Sequence, residues 1–279
     1  MARKSTNPDD YMRVPRPIAA MAKDFPHGHH IPVDRHERGQ LVYAVSGVMT
    51  VTTPHGTWVV PPQRAVWVPP RTDHESRMSG RVAMRTLYLR RDAATRLPGR
   101  CCVMNVTPLL RELILAATEM PLAYDERARD GRVMRLILDE LRAASDLPLH
   151  LPQPADRRLA RICDAILKAP ADTRALEEWA STVGASTRTL ARRFRQETGM
   201  SFAAWRQQAR LLESLRRLAA GEPVTKVALD CGYASASAFG AMFRRALGVA
   251  PSAYFSSSVT PAEAGVQSGA ATGSRRSPG

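Results

Sequence analysis

The chain has 279 residues, with 40 Lys and Arg against 26 Asp and Glu and a formal net charge of +14. That length is enough for two domains, and the sign suits a polyanionic partner without locating the surface that meets it. A polar N-terminus and the lack of any run of about 18 apolar residues argue against a secretory signal or membrane span, so a cytoplasmic protein is expected.

In chain order, residues 1–24 read as a flexible extension, and His27, His29 and His30 lie in a segment expected to be solvated. From Gln40 to Leu89, short runs rich in Val, Thr, Tyr and Trp are separated by Ser46-Gly47, Pro54-His55-Gly56, Pro61-Pro62 and Pro69-Pro70. This spacing predicts an antiparallel barrel or double sheet. Trp58 and Trp67 either line its interior or fill its core. Adjacent Cys101 and Cys102 and distant Cys163 and Cys231 form neither a disulfide framework nor a zinc spacing. A buried thiol is expected at Cys163, and a redox role stays open for the adjacent pair.

Two helices follow, Leu109–Met120 and Arg132–Ala144, each with an apolar stripe that either completes the core or meets a second copy of the chain. Residues 148–155, with Pro148, Pro152 and Pro154, read as a stiff linker between a domain at 25–147 and one at 156–255. The tail at 256–279 has little to bury, and disorder is expected there.

Within the second domain one pattern is written twice. Ala180, Gly184, Ser186, Leu190, Phe194, Gly199 and Trp205 are matched by Ala228, Gly232, Ser235, Phe239, Phe243, Gly248 and Tyr254, with identical spacing from the serine onward. Each landmark suits a tight two-helix unit. The alanine lets helices cross closely, the first glycine accommodates a turn, and the serine caps the second helix. Leu190 with Phe194, and Phe239 with Phe243, fall on one packing face at i and i+4.

That packing turns Arg188, Ala191, Arg192 and Arg195 outward, and a guanidinium fork matches O6 and N7 of guanine in the major groove. The second unit presents Ser237, Gly240, Ala241 and Arg244 instead, so it should grip phosphates and sense groove shape more than base identity. The expected base contacts are Thr187, Arg188, Ala191, Arg192, Ala236 and Ser237. The expected phosphate contacts are Arg193, Arg195, Lys226, Arg244 and Arg245. Between the units, Met200–Ala220 reads as a helix of about 30 Å at 1.5 Å per residue, close to one turn of B-DNA.

Residues from Leu176 to Phe255, including Gly-Val-Ala-Pro-Ser-Ala-Tyr-Phe at Gly248–Phe255, resemble the DNA-binding domain of AraC/XylS-type bacterial transcriptional regulators. The resemblance implies binding to double-stranded promoter DNA, RNA polymerase as a partner, a homodimer and no enzymatic activity.

The N-terminal segment resembles the cupin-like sensor domain of many such regulators. It does so through Asp34-Arg35-His36, Gln40-Leu41-Val42-Tyr43, Ser46-Gly47, Gly56-Thr57-Trp58, Pro61-Pro62, Ala65-Val66-Trp67-Val68-Pro69 and His74. This implies a small-molecule effector held by Asp34, His36, Gln40, Trp67 and His74. Asp34, His36 and His74 also leave open a divalent metal on a two-His-one-carboxylate face, and with it a metal-dependent cupin enzyme or metal sensor. The implied fold is α+β multidomain: an antiparallel β-barrel with helices, then an all-α domain of two helix-turn-helix units joined by a linker helix.

Overall fold

The computed structural model describes residues 5–144, 146–147 and 149–256. Pro148 of the expected linker and the tail from residue 257 onward, where disorder is expected, lie outside these.

The N-terminal half consists of two antiparallel sheets. One pairs, in order, β1 (Ile18–Phe25), β8 (Val82–Leu89), β3 (Gly39–Ala44), β6 (Arg64–Val68), β9 (Cys102–Asn105) and β10 (Asp146–Leu147). The other pairs β11 (His150–Pro152), β5 (Gly56–Val60), β4 (Val48–Thr53), β7 (His74–Ser79) and β2 (His30–Asp34).

Strand alternation sorts the first sheet into two faces. Val42, Val66, Val68 and Met84 join a core shared with Val51, Trp58 and Met78 of the second sheet. Leu41, Tyr43, Ala65, Trp67 and Leu87 pack instead with α2 (Pro108–Glu119) and α3 (Arg129–Ala143). Both faces are therefore covered, and β3 is buried along its whole length.

Two expectations for this half are corrected. The N-terminal extension is built into the fold: residues 18–25 form β1 and pair with β8 throughout. Ahead of them α1 (Asp9–Met12) buries Tyr11, whose ring lies 5.9 Å from Tyr88. The buried Arg38 guanidinium donates to the carbonyls of Met12, Val14, Arg16 and Tyr88, which fastens the arm to one end of the sheets.

The second correction concerns the linker, which is partly sheet: β11 pairs with β5, placing His150 opposite Trp58. The three histidines ahead of β3 are engaged as well. His30 pairs with Glu75 at 2.9 Å, His29 stacks on Phe25 at 4.7 Å, and His27 Nδ1 accepts from Gly80 N at 3.0 Å.

The C-terminal domain is helical: α4 (Arg157–Lys168), α5 (Leu176–Thr182), α6 (Thr187–Thr198), α7 (Phe202–Ala219), α8 (Val224–Asp230), α9 (Ala236–Leu247) and α10 (Pro251–Ser256). Its core includes Leu159, Ile162, Cys163 and Ile166 of α4 and the aromatic landmarks of both repeats. Burying each such apolar side chain contributes about 1.5–3 kcal/mol. Helix α7 also packs on β4, β5, β7 and β11. The close approach needs a glycine at 80, where φ is +72° and a Cβ would lie 2.2 Å from the Ala219 carbonyl oxygen.

Candidate nucleic-acid interface and effector cavity

The two repeats fold as their landmarks dictate. Ala180 and Ala228 are buried where the helices of each unit cross. Gly184 and Gly232 take φ of +63° and +78° at the turns. Ser186 Oγ accepts from Thr189 N at 3.2 Å and Ser235 Oγ from Ala238 N at 3.1 Å, which caps α6 and α9. Both helices end on left-handed glycines, Gly199 and Gly248.

With Leu190 and Phe194 buried, α6 turns Arg188, Ala191, Arg192 and Arg195 to the exterior, and Thr187 is half-buried at its start. On α9 the exposed positions include Ser237, Ala241, Arg244 and Arg245, with Ala236 and Gly240 half-buried. No ion pair within the described residues engages Arg188, Arg195, Arg244 or Arg245.

The remaining expected contacts are already matched by carboxylates. Arg193 lies 3.1 Å from Asp156, the residue that caps α4, and Lys226 lies 2.6 Å from Glu222 and 3.7 Å from Asp230. These are surface pairs, which solvent and salt keep weak, and their carboxylates are shared with Arg158 and Arg217. Arg192 is intermediate, since it donates to Gln196 Oε1 at 3.2 Å on its own helix.

In the N-terminal half, three of the expected effector residues meet. The imidazoles of His36 and His74 lie 5.2 Å apart, and their Nε2 atoms approach Gln40 Oε1 at 3.2 and 2.9 Å. The Gln40 amide nitrogen faces Thr86 Oγ1 at 3.0 Å and the Tyr88 hydroxyl at 3.4 Å. Each ring also sets Nδ1 against a main-chain carbonyl, Arg38 at 2.6 Å for His36 and Thr72 at 2.9 Å for His74.

A ring that donates from both nitrogens is a cation, and burial opposes charge. Burial indeed holds the His74 imidazole below its ordinary value. A neutral His74 keeps its Nδ1 proton for the Thr72 carbonyl, and its Nε2 faces the Gln40 amide. The unfolded chain consequently takes up a proton at His74 before the folded one does. Stability should fall as the pH drops through about 6.5. Thermal melts of wild type and His74→Gln between about pH 7.5 and 5.5 test this, with the smaller fall expected in the variant.

Two of the expected effector residues stand apart from this hydrogen-bonded network. Trp67 sits on the opposite face of its sheet from Gln40, in the core beneath α2 and α3, with its indole N–H donating to the Pro98 carbonyl at 2.8 Å. Asp34 is exposed on β2, paired in register with His74, and its carboxylate accepts from Arg35 N at 2.7 Å. The two-His-one-carboxylate face is therefore not formed. Among the described residues no group of three or more His, Cys, Asp or Glu side chains is set to hold a metal ion. All four cysteines are buried and none is in a disulfide, and burial pushes the Cys101 thiol up to about 12, which leaves that sulfur almost no thiolate at neutral pH.

A cavity of about 430 Å³ opens beside this network. It is lined by Pro54, His55, Trp58, Pro69, Arg71, Thr72, Asp73, Gly99, Arg100, Cys101 and His150. Of these, sequence patterning offered Trp58 as an interior or core residue, Pro54, His55 and Pro69 as turn residues and Cys101 as half of an adjacent pair. His150 faces Trp58 through strand pairing, and Arg71 and Arg100 come from loops without a motif.

A family model described as an AraC-like ligand binding domain matches residues 21–183, and a helix-turn-helix domain model matches residues 179–257. The chain belongs to the AraC family of transcriptional regulators. This AraC-family chain is 36% identical over 223 residues to the HTH-type transcriptional regulator NimR of Escherichia coli, a match covering 80% of the chain and 81% of that protein. It is 35% identical over 114 residues to the regulator RipA of Corynebacterium glutamicum, covering 41% of the chain and 34% of that one. A structure of ToxT from Vibrio cholerae aligns over 86% of the chain and 98% of its own length, at 11% identity and a TM-score of 0.37. The AraC-family chain thus carries a DNA-binding helix-turn-helix domain behind a ligand-binding domain. Among the described residues no helix is long and apolar enough to cross a membrane.

Proposed function

We propose that this AraC-family protein is a cytoplasmic regulator that reads a bipartite promoter site unequally under the control of a small effector. Helix α6 meets base edges with Thr187, Arg188, Ala191 and Arg192, and α9 offers only Ala236 and Ser237. Arg195, Arg244 and Arg245 neutralise phosphates. One observation carries this reading: Arg188, Arg192 and Arg195 are exposed on a helix fixed by a serine cap, a left-handed glycine and a buried aromatic face. Rigid placement of this kind is what lets a side chain discriminate between bases.

The effector occupies the barrel end that holds the His36, Gln40 and His74 network. It acts by binding the DNA-competent and incompetent arrangements with different affinities. A second copy of the chain joins along α2 and α3, where Leu109 and Leu136 remain 50% and 40% exposed. RNA polymerase is the partner through which the bound regulator acts on transcription.

Mapping of bound sites across the genome tests the reading, which requires discrete sites sharing a two-part pattern; uniform coverage contradicts it. In a companion titration, Arg245→Ala should weaken all duplexes alike and lower the salt slope by about one.

A further inference from the structure

A groove of about 720 Å³ runs between the second half of α6, the first turns of α7 and the start of α5. Leu176 and the buried Phe202 give it an apolar lining, and Arg192, Arg195 and Arg206 give it three guanidinium groups. No Asp or Glu among the described residues lines it.

The side chains around the groove leave these charges open. The Arg195 guanidinium has no hydrogen bond or ion pair among the described residues, and Arg192 donates to the neutral Gln196 amide at 3.2 Å. Arg206 donates from one nitrogen to the Arg174 carbonyl at 2.7 Å and lies 5.2 Å from the centre of the Phe202 ring. Both contacts fix its position, and neither neutralises it. Asp172, which lies in the field of Arg206, is already clasped by Arg174 at 2.6 Å. Glu178 turns back to accept from Ala175 N at 2.7 Å.

The place of the groove decides what fills it. A helix with its side chains is about 10–12 Å across, and the major groove of B-DNA is about 12 Å wide. With α6 seated there, whatever flanks its reading stripe meets a bordering phosphate strand. On one flank that is α7, which presents Arg206, the exposed Ala203 and the half-buried Ser201. The repeat supplies an internal comparison. In its register Trp205 matches Tyr254, so Arg206 matches Phe255, and the second unit has no cation at that position.

We infer that the groove receives the sugar–phosphate backbone of the strand beside α6, with Arg206 binding one phosphate and the Leu176 and Phe202 lining against the deoxyribose. Such a contact carries no sequence information and sets the register in which α6 reads. The inference rests on the reading of α6 as the recognition helix and adds a backbone clamp that α9 lacks.

The test measures binding of the full chain to a mapped site and to an unrelated duplex of equal length, by fluorescence anisotropy over a range of salt. Arg206→Gln should weaken both by about five- to tenfold at about 0.1 M salt and lower the salt slope by about one, with base preference unchanged. Arg206→Lys keeps the charge and should keep the wild-type slope. A residue that merely braces α5 would lower affinity with the slope intact in Arg206→Gln, and that result overturns the inference. Neutral methylphosphonate linkages, introduced one at a time, then locate the contact. One linkage in the half-site read by α6 should weaken wild type and leave Arg206→Gln unaffected. A variant with the wild-type profile of sensitive linkages overturns the assignment, as does an Arg206-dependent linkage in the α9 half. Arg188→Ala separates the clamp from the reading beneath it. Unchanged base preference in that variant, with the Arg206 linkage still found, sinks readout by α6 and upholds the clamp. Altered preference without an Arg206-dependent linkage does the reverse.

Discussion

Replacing Trp205 with alanine is expected to cost about 3–5 kcal/mol of stability, the range for deleting a fully buried large aromatic side chain. The indole is 0% exposed and meets the edge of Phe194 at 5.9 Å, while Phe194 in turn packs on Phe202 at 5.8 Å. These rings fix α6 on α7, so the cavity left by alanine opens under the recognition helix itself. Trp205 also holds β11 through its bond to the Pro152 carbonyl. Trp205→Phe keeps most of the volume and loses that bond, and it should cost only about 1–3 kcal/mol. Denaturant titration of both variants separates packing from hydrogen bonding. Equal losses in the two would show that packing around the indole is not what holds the first unit together. The phenylalanine variant should still bind effector, with a weaker effect of effector on DNA affinity.

Arg188→Ala and Arg192→Ala are each expected to cost about 1–3 kcal/mol on the cognate site and to relax base preference at one step. Arg192 should give the smaller effect, because it exchanges its bond to Gln196 for one to DNA, whereas Arg188 has no such bond to give up. Arg193→Ala supplies the contrast. Its guanidinium faces Asp156 and Glu197, so its loss should leave sequence preference unchanged and weaken the junction of α4 and α6. Fluorescence anisotropy on matched and single-mismatch duplexes at fixed salt distinguishes the three.

The helix-turn-helix repeats were legible because every landmark is a local requirement. A cap, a left-handed turn and an i, i+4 aromatic pair are specified within a few residues, and the structure places each of them where its residue type demands. The pair of antiparallel sheets was legible as a class but not in its facing. Alternation says that Gln40 and Leu41 point opposite ways, yet it cannot say which way is inward when the sheet is covered on both sides. That is why Trp67, in register with Leu41, belongs beneath α2 and α3 rather than with the histidines.

Strand β1, Ile18–Phe25, escaped notice because it contains three alanines and only one β-branched residue. Its strand character comes from eight paired positions on β8, a tertiary fact. The fate of the cations divides the same way. Lys226 has Glu222 and Asp230 at i−4 and i+4, so its pairing was readable along the helix; the partner of Arg193 is 37 residues away.

Selection of binding sites from random duplexes, run with wild type and with the Arg188→Ala, Arg192→Ala double variant, tests the central claim most directly. The wild type should enrich a two-part site with its halves about one helical turn apart and most of its base information in one half. The double variant should lose that half and retain the other. Identical selected sites from both proteins, or no enrichment by either, would contradict an unequal reading led by α6.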